Sequence, residues 1–227
     1  MNHLRRFGFG AFVAFFMTFV ATAALADDPP SRVARLSFTS GEVSMQPGGV
    51  NDWAAAVLNR PFTTADRLWT DQSSRAELQL GGAAVRMESQ TSLTFTNVAD
   101  NVLQLELDQG TLDLHVGRLF NGEIYEVDTP NAAFTVFKPG DYRFDVDSKG
   151  DATLATVWKG KLVATGQGPE VDIDSHHQAQ FSDGQSMLHR ISKAPKYDGF
   201  DDWCRVRDER EARVISARYV SPDVIGY

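Results

Sequence analysis

From Arg32 to about Phe181, polar and apolar residues alternate in short runs that stop at turn residues. Ala76-Glu77-Leu78-Gln79-Leu80 stops at Gly81-Gly82, and Leu103-Gln104-Leu105-Glu106-Leu107 stops at Asp108-Gln109-Gly110. Leu112-Asp113-Leu114-His115-Val116, Tyr142-Arg143-Phe144-Asp145-Val146 and Val171-Asp172-Ile173-Asp174 repeat the pattern. A period of two puts alternate side chains on opposite faces, so Leu103, Leu105 and Leu107 share a buried face while Gln104 and Glu106 meet water. About fifteen such runs, spaced roughly 8–12 residues apart, predict an all-β body of many short strands, solenoid-like or sandwich-like. No helix-period segments separate the runs, which argues against a doubly wound parallel sheet. One stretch conflicts with this: Asp52-Trp53-Ala54-Ala55-Ala56-Val57-Leu58 favours helix by propensity, with Pro61 as a stop, and its state stays open.

The pattern changes after about Ser182. Ala194-Pro195-Lys196-Tyr197-Asp198-Gly199 reads as a linker, and Asp201 to Arg218 holds five acidic and five basic residues with no Gly or Pro. This predicts one C-terminal helix, capped by Asp201 or Asp202, supported by the i, i+4 pair Glu209/Arg213 and ending before Ser221-Pro222. Its apolar positions Trp203, Val206, Val214 and Ile215 form a narrow stripe, suited to docking one edge on the β-body or on a partner; a mostly solvated helix is the alternative.

The N-terminus reads as a targeting segment. Arg5 and Arg6 precede an apolar run from Phe7 to Leu25, and Ala24-Leu25-Ala26 resembles a signal-peptidase site. The expected organisation is a signal peptide at 1–26, a β-domain at 27–182, a linker at 183–198, and a helix with tail at 199–227. Cleavage after Ala26 places the mature chain in the periplasm or outside the cell. An uncleaved run is long enough to anchor it in the membrane. Of 227 residues, 22 are Lys or Arg and 30 are Asp or Glu. Removal of 1–26 leaves 20 basic against 30 acidic residues, a net −10. That balance argues against a nucleic-acid partner, because phosphate binding needs a basic surface. Cys204 is the only cysteine, so no intramolecular disulfide can form. It reads as a half-buried thiol on the helix, with an intermolecular bridge as the alternative.

Catalytic and nucleotide-binding motifs are absent: no G-x-S-x-G elbow, no H-E-x-x-H, no Walker loop, and only two glycines at Gly166-Gln167-Gly168-Pro169. The expectation is a non-enzyme with no cofactor and no assigned metal. Asp145-Val146-Asp147-Ser148-Lys149-Gly150-Asp151 fails as a calcium loop because Lys149 and Thr156 stand where carboxylates are needed, and it reads as a hairpin turn. Asp172, Asp174 and His176 could share a face as a weak surface metal site, although a polar strand edge explains them as well; His115, beside Asp113, is read in the same way. Trp53, Trp69 and Trp158 suit the core, with an aromatic platform for stacking as the alternative.

The order of the runs resembles a FecR-type domain. Gly41-Glu42-Val43, Trp53, Leu58 through Asp66-Arg67-Leu68-Trp69-Thr70, and Ser74-Arg75-Ala76-Glu77-Leu78 are similar to its first half. Leu107-Asp108-Gln109-Gly110-Thr111-Leu112, Tyr125-Glu126-Val127-Asp128-Thr129-Pro130-Asn131-Ala132 and Val157-Trp158-Lys159-Gly160-Lys161-Leu162-Val163 are similar to its second. The tail from Arg218 to Tyr227 resembles that of exported FecR-domain proteins of proteobacteria. The resemblance spans roughly residues 36–166 and implies a twisted, β-rich periplasmic module. It departs at Pro139-Gly140-Asp141-Tyr142-Arg143-Phe144, where Asp141 stands in place of a threonine. Regulators of this type join a cytoplasmic anti-sigma segment to a membrane helix and a periplasmic domain. Only a signal-like segment precedes the domain here, so direct sigma-factor control is not expected. The expected role is protein binding, scaffolding or signal sensing in the cell envelope, with cell-wall or glycan binding through exposed aromatics as the alternative. Candidate contacts for a cell-envelope protein or a cell-wall component are Trp53, Trp69, Trp203 and Tyr219.

Overall fold

The computed structural model describes residues 32–182 and 188–213. Among these, fifteen strands join in one hydrogen-bonded sheet, followed by one helix. The strands are β1 (Ala34–Ser40), β2 (Val43–Gln46), β3 (Ala54–Ala55), β4 (Pro61–Phe62), β5 (Arg67–Thr70), β6 (Arg75–Leu80), β7 (Ala83–Met87) and β8 (Thr91–Ala99). They continue as β9 (Val102–Val116), β10 (Ile124–Asp128), β11 (Ala133–Val146), β12 (Ala152–Thr165), β13 (Val171–Asp174), β14 (His177–Ser182) and β15 (Leu188–Lys193). The helix is α1 (Gly199–Arg213). The fold is all-β with a C-terminal helix, as the alternation predicts, and it takes the sandwich-like form.

Three long strands make the sandwich by serving both layers. The first half of β9 pairs antiparallel with β8 and parallel with β10; its second half pairs with β7 and β11. In the same way β11 pairs with β10 at Ala133–Thr135 and with β9 from Gly140 onward, and β12 pairs first with β14 and then with β13. One layer therefore runs β3-β2-β5-β8-β9-β10-β11-β12-β13, and the other runs β4-β1-β6-β7-β9-β11-β12-β14-β15. The end strands β3, β4, β13 and β15 each pair with a single strand, so the sheet does not close. The inner faces meet across the gap: Phe62 packs on Phe95 at 5.3 Å between centroids, and Phe134 on Phe181 at 5.1 Å. Leu103, Leu105, Leu107, Leu112 and Leu114 are fully buried between the layers, as the period of two requires.

Several turn residues bend a strand rather than end it. Asp108-Gln109-Gly110, expected to terminate a run, lies inside β9. Gly110 has φ +94°, and Thr111 N–H donates to Thr91 Oγ1 at 3.0 Å across the bend. The strand continues because its backbone groups beyond the bend find new partners in β7 and β11. A second corner sits in β12, where Gly160 has φ +101°. A Cβ there would overlap the Tyr142 hydroxyl, which donates to Lys138 O and accepts from Lys161 N–H at 3.1 Å.

The Ser148–Asp151 hairpin turn forms as expected. Asp147 Oδ1 accepts the amides of Lys149 (2.9 Å) and Asp151 (3.0 Å). The stretch 52–58 holds no helix: Ala54–Ala55 is an edge strand on β2, and the remainder is irregular. Seven residues yield too few helical hydrogen bonds to compete with that pairing. The stretch 183–198, expected as a linker, contains β15, which extends the sheet beyond β14.

The Gly160 corner gives a direct test. Gly160→Ala should cost about 3 kcal/mol, since it combines a strained φ with displacement of a buried hydroxyl. Tyr142→Phe should cost about 1–3 kcal/mol, since it leaves Lys138 O and Lys161 N–H without that partner. Urea-unfolding midpoints measure both, and a neutral Gly160→Ala would show that the corner relaxes freely.

Candidate functional site

On the second layer the face turned away from the core carries a row of charges. Four runs each place one charged residue between two apolar ones: Ala76-Glu77-Leu78, Val85-Arg86-Met87, Leu112-Asp113-Leu114 and Tyr142-Arg143-Phe144. The register puts Glu77 opposite Arg86, Arg86 opposite Asp113, and Asp113 opposite Arg143. The signs alternate across four neighbouring strands. Arg86 is wholly buried and donates to Glu77 Oε2 (2.8 Å) and Asp113 Oδ1 (3.1 Å).

Helix α1 lies over this row. Asp198 caps it, accepting the amides of Phe200 (2.8 Å) and Asp201 (2.9 Å), while Asp201 Oδ2 returns a bond to Asp198 N–H at 2.8 Å. The cap is therefore Asp198, with Asp201 as its reciprocal partner three residues on, rather than Asp201 or Asp202 themselves. The docked face is Phe200, Asp201 and Cys204, flanked by half-buried Trp203, Arg207 and Asp208. Val206, part of the expected stripe, is 38% exposed, and Val214 and Ile215 lie outside the described residues. Asp208 Oδ1 accepts from Arg86 at 2.6 Å, Arg207 grips Glu77 at 2.5 and 3.0 Å, and Arg143 reaches Asp198 (2.6 Å) and Asp201 (2.8 Å). Aromatic stacking completes the seam: Trp203 packs on Phe38 at 5.6 Å, with the Arg75 and Arg207 guanidiniums within 5.4 Å of its ring centroid. The helix docks through charge and aromatic contact more than through aliphatic burial.

The electrostatics follow from burial and from the excess of carboxylates. Burial raises Glu77, but Arg207 and Arg86 outweigh it and hold this carboxyl at about 2. Burial pushes Asp113 up to about 6, with Asp208 and Asp141 adding to the effect against Arg86. Burial lowers His115, yet the Asp141 hydrogen bond and the charges of Asp208 and Asp141 prevail and raise it. Burial, with Asp113 alongside, pushes the Cys204 thiol far up; the thiol is buried rather than half-buried and is unreactive at neutral pH.

His115 is not on a polar strand edge, because β9 is an interior strand and α1 covers it. His115 Nδ1 lies 2.5 Å from Asp141 Oδ1 and 3.6 Å from Asp208 Oδ2. Asp141 is thus tied to this cluster. The surface metal reading at Asp172, Asp174 and His176 is not supported by the geometry. Asp172 is paired with Lys161 at 2.9 Å, and His176 sits in a left-handed turn (φ +63°) between β13 and β14.

The aromatic candidates divide between the two outer faces. Trp53 is 48% exposed, just before β3, in a β2–β3 connection that also exposes Val50; Val57 and Leu58 are exposed in the connection from β3 to β4. Trp69 is half-buried on β5 and opposite Ser44 of β2, which in turn pairs with Ala55. Alternation therefore places Trp69 and the Trp53 end of β3 on one outer face. Trp53 does not fill the core as expected, because the two-residue strand before which it stands is an exposed edge. Trp158 is buried, but against Tyr197 on the other outer face rather than between the layers. Trp203 is committed to the helix seam, and Tyr219 lies outside the described residues. Sequence reasoning missed Glu77, Arg86, Asp113 and Arg143 as a group. Their signal was a single charge flanked by apolar neighbours in four runs of alternating sign.

Residues 66–163 match the profile of the family described as FecR protein. Two crystal structures of a candidate anti-sigma factor from Parabacteroides distasonis ATCC 8503 are similar at a TM-score of 0.49 and 12% identity, over 56% of this chain. The chain spans 59% of their length. Among curated proteins none matches.

Arg86→Met should destabilise by about 3–5 kcal/mol, since it leaves buried carboxylates without their cation. The loss should appear in thermal and urea unfolding. The pH dependence has two limbs. Glu77, with its folded value of about 2 below the ordinary 4.5, contributes stability above 4.5 that is lost as pH falls toward 2. Asp113, with its folded value of about 6 above the ordinary 3.8, binds its proton more tightly in the native state, so stability falls as pH rises from about 4 to 6. The melting temperature should peak near pH 4–5. Glu77→Gln should flatten the acid limb and Asp113→Asn the limb from 4 to 6.

Proposed function

On the premise that residues 66–163 form a FecR domain, we propose that this protein is a non-catalytic, exported regulatory module that recognises a protein partner in the cell envelope. The observation that carries the reading is the span of the family match. It runs from the residue before β5 into β12 and so takes in all three strands that bend between the layers. Recognition then belongs to the outer surfaces of a rigid β-body. Regulators with this domain receive signals in the envelope, and a module that senses or relays one fits a chain whose sequence carries no catalytic motif. No described helix is long and apolar enough to cross a membrane. Delivery outside the cytoplasm rests on the targeting segment read from the sequence at 1–26.

A specific observation favours a second reading. Trp53 and Val50 just before β3, and Val57 and Leu58 just after it, are exposed. An aromatic with apolar neighbours on an open face suits stacking on a sugar ring, so a cell-wall or glycan ligand is the alternative occupant.

A photo-crosslinking residue at position 57, with exposed position 149 as the control, distinguishes the readings in intact cells. One discrete envelope-protein adduct from 57 and none from 149 is the expected outcome. Retention on purified sacculi, lost on Trp53→Ala and without a protein adduct, would replace it with the wall-binding reading. Neither adduct nor retention would overturn both, and turnover of an envelope substrate by the purified protein would overturn the non-catalytic assignment.

A further inference from the structure

His115, Asp141 and Asp208 come from β9, β11 and α1, and each offers one ligand atom within 4.8 Å of the other two. We propose that these three side chains form a binding site for a divalent transition ion of the zinc class, which fastens α1 to the sheet. The inference goes beyond the regulatory reading above and does not depend on it.

The donor set is one imidazole nitrogen and two carboxylate oxygens. This is the composition of three-ligand zinc sites that keep a further position for water, and cobalt(II) or manganese(II) suits it as well. With metal–ligand bonds of about 2.0–2.2 Å, ligand atoms in a tetrahedral site lie about 3.3–3.6 Å apart. The 3.6 Å between His115 Nδ1 and Asp208 Oδ2 already meets this. The 2.5 Å between His115 Nδ1 and Asp141 Oδ1 must open by about 1 Å, which a side-chain rotation of Asp141 supplies. All three side chains keep partial exposure, at 27%, 33% and 20%, so an ion and its water can reach them.

Two further features single out this cluster from ordinary surface carboxylates. Asp208 is held by its other oxygen, because Oδ1 accepts from the buried Arg86 at 2.6 Å and Oδ2 is thereby turned toward His115. Outer-shell hydrogen bonds of this kind orient metal ligands and raise affinity. The surroundings also carry a surplus of negative charge. Asp113 and Glu211 stand near the cluster beyond what Arg86 neutralises, so a dication settles a field that a single imidazolium leaves unbalanced.

The test uses the whole exported chain, freed of metal with a chelator and titrated with zinc(II) in a calorimeter and with cobalt(II) by visible absorption. The expected result is one ion per chain, with cobalt bands of a tetrahedral nitrogen–oxygen site. His115→Gln and Asp141→Asn should each weaken uptake by at least about tenfold, while Asp172→Asn and His176→Gln leave it unchanged. Asp208→Asn should weaken it similarly, and zinc should slow amide exchange in α1 in the wild type only. Each variant is checked for a native circular dichroism spectrum first, and the half-exposed Asp141→Asn serves if His115→Gln does not fold. Absence of stoichiometric uptake would overturn the proposal, as would uptake that survives both His115→Gln and Asp141→Asn. Uptake indifferent to Asp208→Asn would overturn the role of the helix.

Discussion

The structure depends on one buried guanidinium. Arg86 sits on an interior strand with no solvent access, and its charge is tolerable only because carboxylates from three other elements surround it: Glu77 on β6, Asp113 on β9 and Asp208 on α1. An isolated charge in such a place would cost far more than the domain's net stability. The requirement acts in two directions. It holds β6, β7 and β9 in the register that puts Glu77, Arg86 and Asp113 side by side. It also recruits the helix, since the third carboxylate lies outside the sheet.

The helix in turn explains why this face is charged at all. In a two-layer sandwich the outer positions usually face water, and the alternation along β6, β7, β9 and β11 is the ordinary pattern of a half-solvated sheet. Here the solvated side is covered by α1, so residues of surface type become buried ones. The cover has to match them, and it does so through Asp208 on Arg86, Arg207 on Glu77, and Asp198 with Asp201 on Arg143. Such a seam is specific rather than strongly stabilising, because each pair returns much of its Coulomb energy as desolvation. It defines a single docked position for the helix, and α1 leaves the other layer's outer face, with Trp53 and Trp69, uncovered among the described residues.

The strand corners are the complementary constraint. A chain of this length cannot make two layers from short hairpins alone without multiplying free edges. Bending β9, β11 and β12 lets each serve both layers and carries the hydrogen-bond network around the corner. At Gly160 the bend is locked by the Tyr142 hydroxyl, which occupies the space a side chain would need. Residues 66–163, which match the FecR family profile, include β9, β11 and β12 as far as residue 163.

Much of this was legible in the sequence. The period of two located the strands and the buried leucines of β9, the change in composition after Ser182 announced the helix, and the Ser148–Asp151 turn was read correctly from its residues. These features are local: they depend on propensity and on alternation along a single stretch of chain. What the chain could not announce was which strand lies beside which. Glu77, Arg86, Asp113 and Arg143 look alike in sequence, each a charge between apolar neighbours, and only the register of four strands makes them a row. Asp108-Gln109-Gly110 looks like the end of a strand, and only the arrival of β7 and β11 on the far side turns it into a bend. His115 and Asp141 look like surface residues until Asp208 arrives from a helix 93 positions beyond His115. Sequence by itself determined the alternation, the elements and the placing of charge. Tertiary structure alone decided burial, because the free energy of a charge depends on what surrounds it in space and not on its neighbours along the chain.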